Sequence, residues 1–315
     1  MADGPQPYLA TTSHPARVAI FLSGSGSNAE RILQQWQTAE TPPFEVVTLV
    51  TDRPERSRAF EIGRAFDLPV VANDIREFYR SGGSTRVTLA TAQGRSLREK
   101  WTDALRRQLA DYRIDFGVFA GFIPLTNITG DFPCPNVHPG DLTFLKGGER
   151  YLVGLHTVPI ERAILEGLDH LRTSVIIAEP YEGSDDMDSG PILGLSPPVG
   201  IDLTGRHPDE LRTIVANRPA RRPLGGFGDA LEEIAIANQE RLKEGGDWVV
   251  LPPVVFDFAA GKFASDADDL YYRGQAGWDR ILTVEYTDGG AAPRLKKRKK
   301  ICGGKGKNTD SPHYK

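Results

Sequence analysis

Residues 18–33 read VAIFLSGSGSNAERIL. An apolar, β-branched run meets a glycine–serine turn, and apolar residues then recur at helical spacing. The stretch predicts strand, tight turn and helix in succession. Arg17 to Leu22 is the predicted strand and Asn28 to Gln37 the predicted helix. A glycine turn at such a junction exposes backbone N–H groups at a helix N-terminus, where the helix dipole adds positive potential. A phosphate is welcome there. Gly26, Ser27 and Asn28 are therefore the candidate anion-binding residues, and Ser27 or Asn28 can also cap the helix.

The alternation continues downstream. Phe44 to Thr51 reads as a second strand and Leu68 to Ala72 as a short third one, with helical periodicity from Glu55 to Phe66 between them. Ser96 to Tyr112 is an amphipathic helix, because Leu97, Trp101, Leu105 and Leu109 recur every four residues. Phe116 to Ala120 is the next buried strand. This order predicts an α/β fold: a Rossmann-like, open, twisted, mostly parallel sheet with helices on both faces. Arg80 to Gly94 is polar and rich in breakers, a flexible loop by composition. Thr173 to Ala178 and Ile192 to Leu195 read as strands around an acidic turn. Residues 200–228, rich in Pro, Arg and Gly, read as an insertion; Asp229 to Lys243 is helical, and Val249 to Phe258 is apolar and β-branched. The expected organisation is a disordered leader (1–15), one domain (16–275) and a C-terminal extension (276–315) ending in a disordered basic tail.

Composition excludes several classes. With 315 residues, 39% hydrophobic and 25% charged, the chain is long enough to bury a sizeable core. It has no run of about 18 apolar residues, so no membrane span is expected. The N-terminus lacks an apolar stretch and reads as a polar leader rather than a signal peptide. Cys134 and Cys302 stand far apart, which argues against a disulfide framework and for a reducing, cytoplasmic setting. The net charge of −4 hides an asymmetry: residues 294–315 carry nine Lys/Arg and one Asp, so the rest of the chain is at −12. An acidic body is a poor partner for nucleic acid.

Gly24-x-Gly26-x-x-Ala29 also fits the dinucleotide-binding fingerprint, and Asp52 ends the second strand where a dehydrogenase places its ribose-binding acid. An NAD(P)-dependent dehydrogenase is thus one reading, on a motif that is weak alone. Further on stand AGFIPL (120–125), NVHPG (136–140), GLHT (154–157) and MDSGPIL (187–193).

With these motifs in this order, the chain from about Arg17 to Phe258 resembles the formyltransferases that use 10-formyltetrahydrofolate, and among them the glycinamide ribonucleotide branch. The resemblance implies transfer of a formyl group from 10-formyltetrahydrofolate, the co-substrate, to the amine of a phosphorylated substrate. No metal is implied, and no metal-ligand spacing is seen; the turn with Asp185, Asp186 and Asp188 lacks the full calcium-loop pattern. Attack on the formyl carbon creates an oxyanion that needs hydrogen-bond donors. Asn136 and His138, two apart, would share one face of an extended segment and both donate to it. Asp188 would orient His138, stabilise its charged form and organise a proton-carrying water. Gly26, Ser27 and Asn28 would hold the substrate phosphate, and Glu240 would read its ribose hydroxyls. Arg98, Phe122, Ile123 and His156 would lie on the folate side. Taken singly, each of these residues also has a plain structural reading: a turn former, a cap or a solvated charge.

The match departs from the family in places. Its S-x-L-P after the catalytic His-Pro becomes Gly140-Asp141-Leu142-Thr143, its AGFMRIL becomes AGFIPL with Pro124, and its TSVH ends here in Ile176. The same Asn, His and Asp would also serve a 10-formyltetrahydrofolate hydrolase, with water in place of the amine. The expected partners are small molecules, with a homodimer allowed and neither membrane nor nucleic acid expected.

Overall fold

The structure is a computed structural model that describes residues 4–10, 14–155, 157–181, 188–223, 225–266 and 269–296. The opening strand, Ala16–Phe21, lies inside a twelve-stranded mixed sheet. On one side it pairs in parallel with Phe44–Thr51, which pairs in parallel with Val70–Ala72. On the other side it pairs in parallel with Phe116–Phe119, which pairs in parallel with Cys134–His138. There the direction changes. Ser174–Ala178 runs antiparallel to Cys134–His138, and Ile192–Leu195 runs antiparallel to Ser174–Ala178. The sheet continues through Gly277–Thr287, Leu270–Gly274, Phe263–Ser265 and Gln6–Pro7, with Gly290–Leu295 paired to Gly277–Thr287.

The period of two along the opening strand sorts its side chains between two cores. Val18, Ile20 and Leu22 face one layer with Ile32 and Leu33 of helix Ser27–Thr38 and Val250 and Val254 of helix Trp248–Ala259. Ala19 and Phe21 face the other, with Tyr79 of helix Ile75–Ser81 and Trp101 and Leu105 of helix Ala92–Leu109. Helices thus cover both faces. A separate cluster joins helices Val158–Glu166, Pro208–Ala216 and Ala230–Leu242 through Ile160, Ile164, Leu211 and Ile234. Among the described residues no helix is long and apolar enough to cross a membrane.

The structure adds to or differs from the sequence reading at five places. The apolar stretch at Val249 to Phe258 is helical despite its β-branched residues and Pro252 and Pro253. Burial between the sheet and helix Ser27–Thr38 outweighs local propensity. Helices Ile75–Ser81 and Ala92–Leu109 enter the Arg80 to Gly94 stretch from its two ends, and the Tyr79 hydroxyl donates to the Gly94 carbonyl at 2.7 Å. The stretch 200–228 contains a helix, Pro208–Ala216. The boundary at residue 275 falls in a hairpin turn, since Leu270–Gly274 and Gly277–Thr287 pair with each other inside the main sheet. The leader is partly built in as well: Gln6–Pro7 pairs with Phe263–Ser265, and Leu9 is buried. The basic residues from 297 onward, Cys302 included, lie outside the described residues.

The turn after the opening strand depends on Gly26, which has φ 69°. A Cβ there would run into Ile62 Cδ1 and Leu22 Cδ1. Gly26→Ala should lose about 1–3 kcal/mol of stability from left-handed strain and overpacking. Urea unfolding should show a lower midpoint at unchanged slope; an unchanged midpoint would contradict this packing.

Candidate active site

The opening turn lies at the carboxyl ends of the parallel strands, where open α/β sheets bind ligands. Buried groups hold it from below. The Ser23 hydroxyl donates to Asp52 Oδ1 at 2.5 Å and accepts the Ile123 N–H at 3.0 Å, tying the turn to the AGFIPL segment. Asp52 is fully buried, and burial pushes its carboxyl up despite Ser23 and Arg53. It faces inward, so it offers nothing to a ribose, and the dehydrogenase reading loses its acid.

Helix Ser27–Thr38 has no side-chain cap, which leaves its first-turn N–H groups for an anion. The Asn28 side chain is 9% exposed and points inward, donating through Nδ2 to Asp247 Oδ2 at 3.0 Å. Asp247 Oδ1 accepts from the Thr173 hydroxyl at 2.6 Å. Burial raises the Asp247 carboxyl, against the hydrogen bonds of Thr173 and Asn28 and the charges of Lys243 and His138. Glu240, the acid expected from sequence, lies elsewhere: it is exposed and pairs with Lys243 at 2.5 Å. The acid that meets the opening turn is Asp247, from the π-turn Lys243–Asp247, 219 residues away from Asn28 in the chain. No local spacing announces such a contact; the only sign is an Asp directly before a wholly apolar run.

Asn136 and His138 sit on Cys134–His138, opposite Ile176 and Ser174 of the antiparallel neighbour. His138 Nδ1 lies 3.3 Å from Asp188 Oδ1, although the two residues come from separate elements. Asp188 has φ 64°, its Oδ2 accepts the Gly154 N–H at 3.1 Å, and its carbonyl accepts from Arg150 Nη1. Burial opposes ionisation of Asp188, but the His138 hydrogen bond and charge, the Gly154 N–H and the Arg150 charge outweigh it and hold the carboxyl below the usual range.

Asn136 and Asp188 both line a cleft with Phe122, Ile123, Pro124, Ile176, Glu179 and Tyr181. The lining mixes apolar side chains with a few polar ones, as small-molecule clefts do. The Asn136 amide has no hydrogen-bond partner among the described residues, and so is available to a ligand. His138 differs from expectation. It is 3% exposed and is not among the lining residues, and its Nε2 lies 2.7 Å from the Leu152 carbonyl. Each ring nitrogen faces an oxygen, of Asp188 on one side and of Leu152 on the other. In this conformation His138 backs Asp188 rather than reaching a ligand.

The folate-side candidates divide. Phe122 packs with Phe21, Phe119 and Trp101 and lines the cleft, as does Ile123. Arg98 is 5% exposed, donates to the Leu125 carbonyl at 2.5 Å and lies near the rings of Tyr79 and Trp101. It supports the cleft wall from behind. His156, Asp185 and Asp186 lie outside the described residues. Sequence reasoning missed Glu179 and Tyr181 in the wall; the Tyr181 hydroxyl donates to Glu99 at 2.7 Å. Burial and Glu99 raise the Tyr181 pKa. Among the described residues no group of three or more His, Cys, Asp or Glu is placed to hold a metal.

No protein-family model matches the chain. Solved structures do resemble it. The phosphoribosylglycinamide formyltransferase of Coxiella burnetii is 17% identical, with a TM-score of 0.54, over 85% of this chain and 96% of that one. The enzyme of the same name from Anaplasma phagocytophilum is 16% identical, with a TM-score of 0.52, over 86% and 98%. Glycinamide ribonucleotide transformylase 1 of Symbiobacterium toebii is 19% identical, with a TM-score of 0.50, over 82% and 94%. At these identities the likeness is one of fold. The chain shares the fold of the phosphoribosylglycinamide formyltransferases over nearly the whole length of those proteins.

Proposed function

We propose that this protein transfers a formyl group from 10-formyltetrahydrofolate to the amine of a phosphorylated acceptor such as glycinamide ribonucleotide. The observation that carries this reading is that Asn136 and Asp188 line one cleft, with His138 3.3 Å behind Asp188 and the uncapped turn tied to the cleft through Ser23 and Ile123. The acceptor phosphate sits on the backbone N–H groups at Gly26, Ser27 and Asn28. Its amine attacks the formyl carbon, a C–N bond forms, and the carbonyl oxygen becomes an oxyanion that the Asn136 amide receives. Asp188, held ionised, takes the amine proton directly or through a water. The proton passes to N10 of the folate as the bond from that nitrogen to the formyl carbon breaks. His138 keeps Asp188 oriented and charged from behind. Asp247 holds Asn28, and with it the acceptor end of the site.

Incubation with 10-formyltetrahydrofolate, followed by folate absorbance, tests the reading. Turnover should require an amine and be fastest with glycinamide ribonucleotide; equal turnover without any amine would identify a hydrolase instead. Asn136→Ala should lower kcat about 100- to 1,000-fold, the usual cost of an oxyanion donor, with an unchanged melting temperature.

The pH profile follows from Asp188. Its carboxyl is held below the ordinary value, so the working carboxylate persists from neutral pH to below about 3.9 and is lost only as pH falls further. Stopped-flow rates should show no Asp188 limb above that range, and Asp188→Asn should be nearly inactive at every pH. Asp247→Ala should raise the KM for the acceptor at least tenfold, whereas Glu240→Ala should leave it unchanged; the reverse order would restore the choice made from sequence.

A further inference from the structure

A two-glycine hairpin follows the NVHPG segment. Leu145–Lys146 pairs with Glu149–Arg150 across Gly147 and Gly148, both with positive φ. Positive φ at both central residues suits a tight hairpin. The chain then runs past the His138–Asp188 couple. Three alternate residues touch that couple: Arg150 Nη1 donates to the Asp188 carbonyl, the Leu152 carbonyl lies 2.7 Å from His138 Nε2, and the Gly154 N–H donates to Asp188 Oδ2 at 3.1 Å. The two residues between them are turned the other way, with the Tyr151 and Val153 carbonyls each accepting from Arg162 Nη1 at 2.9 Å. Every second residue is aimed at the couple and the intervening pair is anchored to a helix.

Building on the proposed reaction, we infer that Arg150 is a positioning residue: its guanidinium holds the Asp188 backbone in the left-handed conformation that turns the carboxylate to His138. A non-glycine residue at φ 64° pays for its strain only while its surroundings over-determine it. Arg150 supplies the tether on the backbone side and Gly154 the one on the carboxylate side. Arg150 also places a positive charge between Asp188 and Glu179, two carboxylates of the same cleft. The charged groups facing Asp188 are His138, from Cys134–His138, and Arg150, from the hairpin; Glu179, beyond Ser174–Ala178, faces Arg150.

The test compares wild type, Arg150→Met and Arg150→Lys. The side-chain carboxyl carbon of Asp188 is followed by NMR titration and assigned by its loss in Asp188→Asn. Without the guanidinium the Asp188 midpoint should move upward in Arg150→Met, with a smaller upward move in Arg150→Lys. An unmoved midpoint in both would overturn the inference. If Arg150→Met does not fold, the lysine variant alone decides by the same criterion. Turnover gives a second readout: kcat should fall about 10- to 100-fold from misplacement of Asp188, with the folate KM unchanged and partial recovery in Arg150→Lys. A raised KM with unchanged kcat would also overturn it. The titration needs no turnover. A shifted midpoint in a protein inert toward 10-formyltetrahydrofolate would keep Arg150 in its role and reject the reaction.

Discussion

The cleft depends on where one short strand lies. Cys134–His138 occupies the seam at which the sheet changes from parallel to antiparallel. Its period of two places Asn136 and His138 on one face. Its antiparallel neighbour, Ser174–Ala178, runs back toward the segment from which Asp188 reaches His138. Ser174 reinforces the arrangement: its hydroxyl donates to the Gly140 carbonyl at 2.7 Å and accepts the Leu142 N–H at 3.0 Å, so the chain leaving His138 is held against the same neighbour.

Buried carboxylates organise both halves of the site. Asp52 locks the opening turn through Ser23, Asp247 locks Asn28 and Thr173, and Asp188 locks His138. A buried charge without partners costs several kcal/mol, and each acid accepts at least one hydrogen bond. The outcomes differ because the partners differ. At Asp52 and Asp247 burial outweighs the hydroxyl and amide donors together with the charges of Arg53, Lys243 and His138, and both carboxyls are raised. His138 and Arg150 bring charge to Asp188, and its carboxyl is lowered. Of the three, Asp188 is also the one that lines the cleft.

Several elements were legible in the chain. The opening strand, turn and helix, and the strands at Phe44 and Phe116, carry short-range periodicity that needs only local burial to be realised. The amphipathic repeat of Leu97, Trp101, Leu105 and Leu109 fills one core layer as its spacing implies. Helix Trp248–Ala259 was not legible, since an apolar run with two prolines carries no period that separates helix from strand. Glu240 was the acid that the resemblance implied, whereas Asp247 carries no local signal, and only packing across the sheet turns Asp247 inward to Asn28.

By itself, the sequence determined the α/β alternation, the glycine turn that needs φ 69° at residue 26, and the polar residues available at 136, 138 and 188. These are properties of neighbours in the chain, set by steric limits and by periodicity. The tertiary structure decided which of those residues face a ligand. It turned Asn28 inward to Asp247, enclosed His138 between Asp188 and the Leu152 carbonyl, and left the Asn136 amide open in the cleft. Those outcomes depend on burial and on partners remote in sequence, because a side chain's direction is settled by which of its polar atoms must be satisfied away from water.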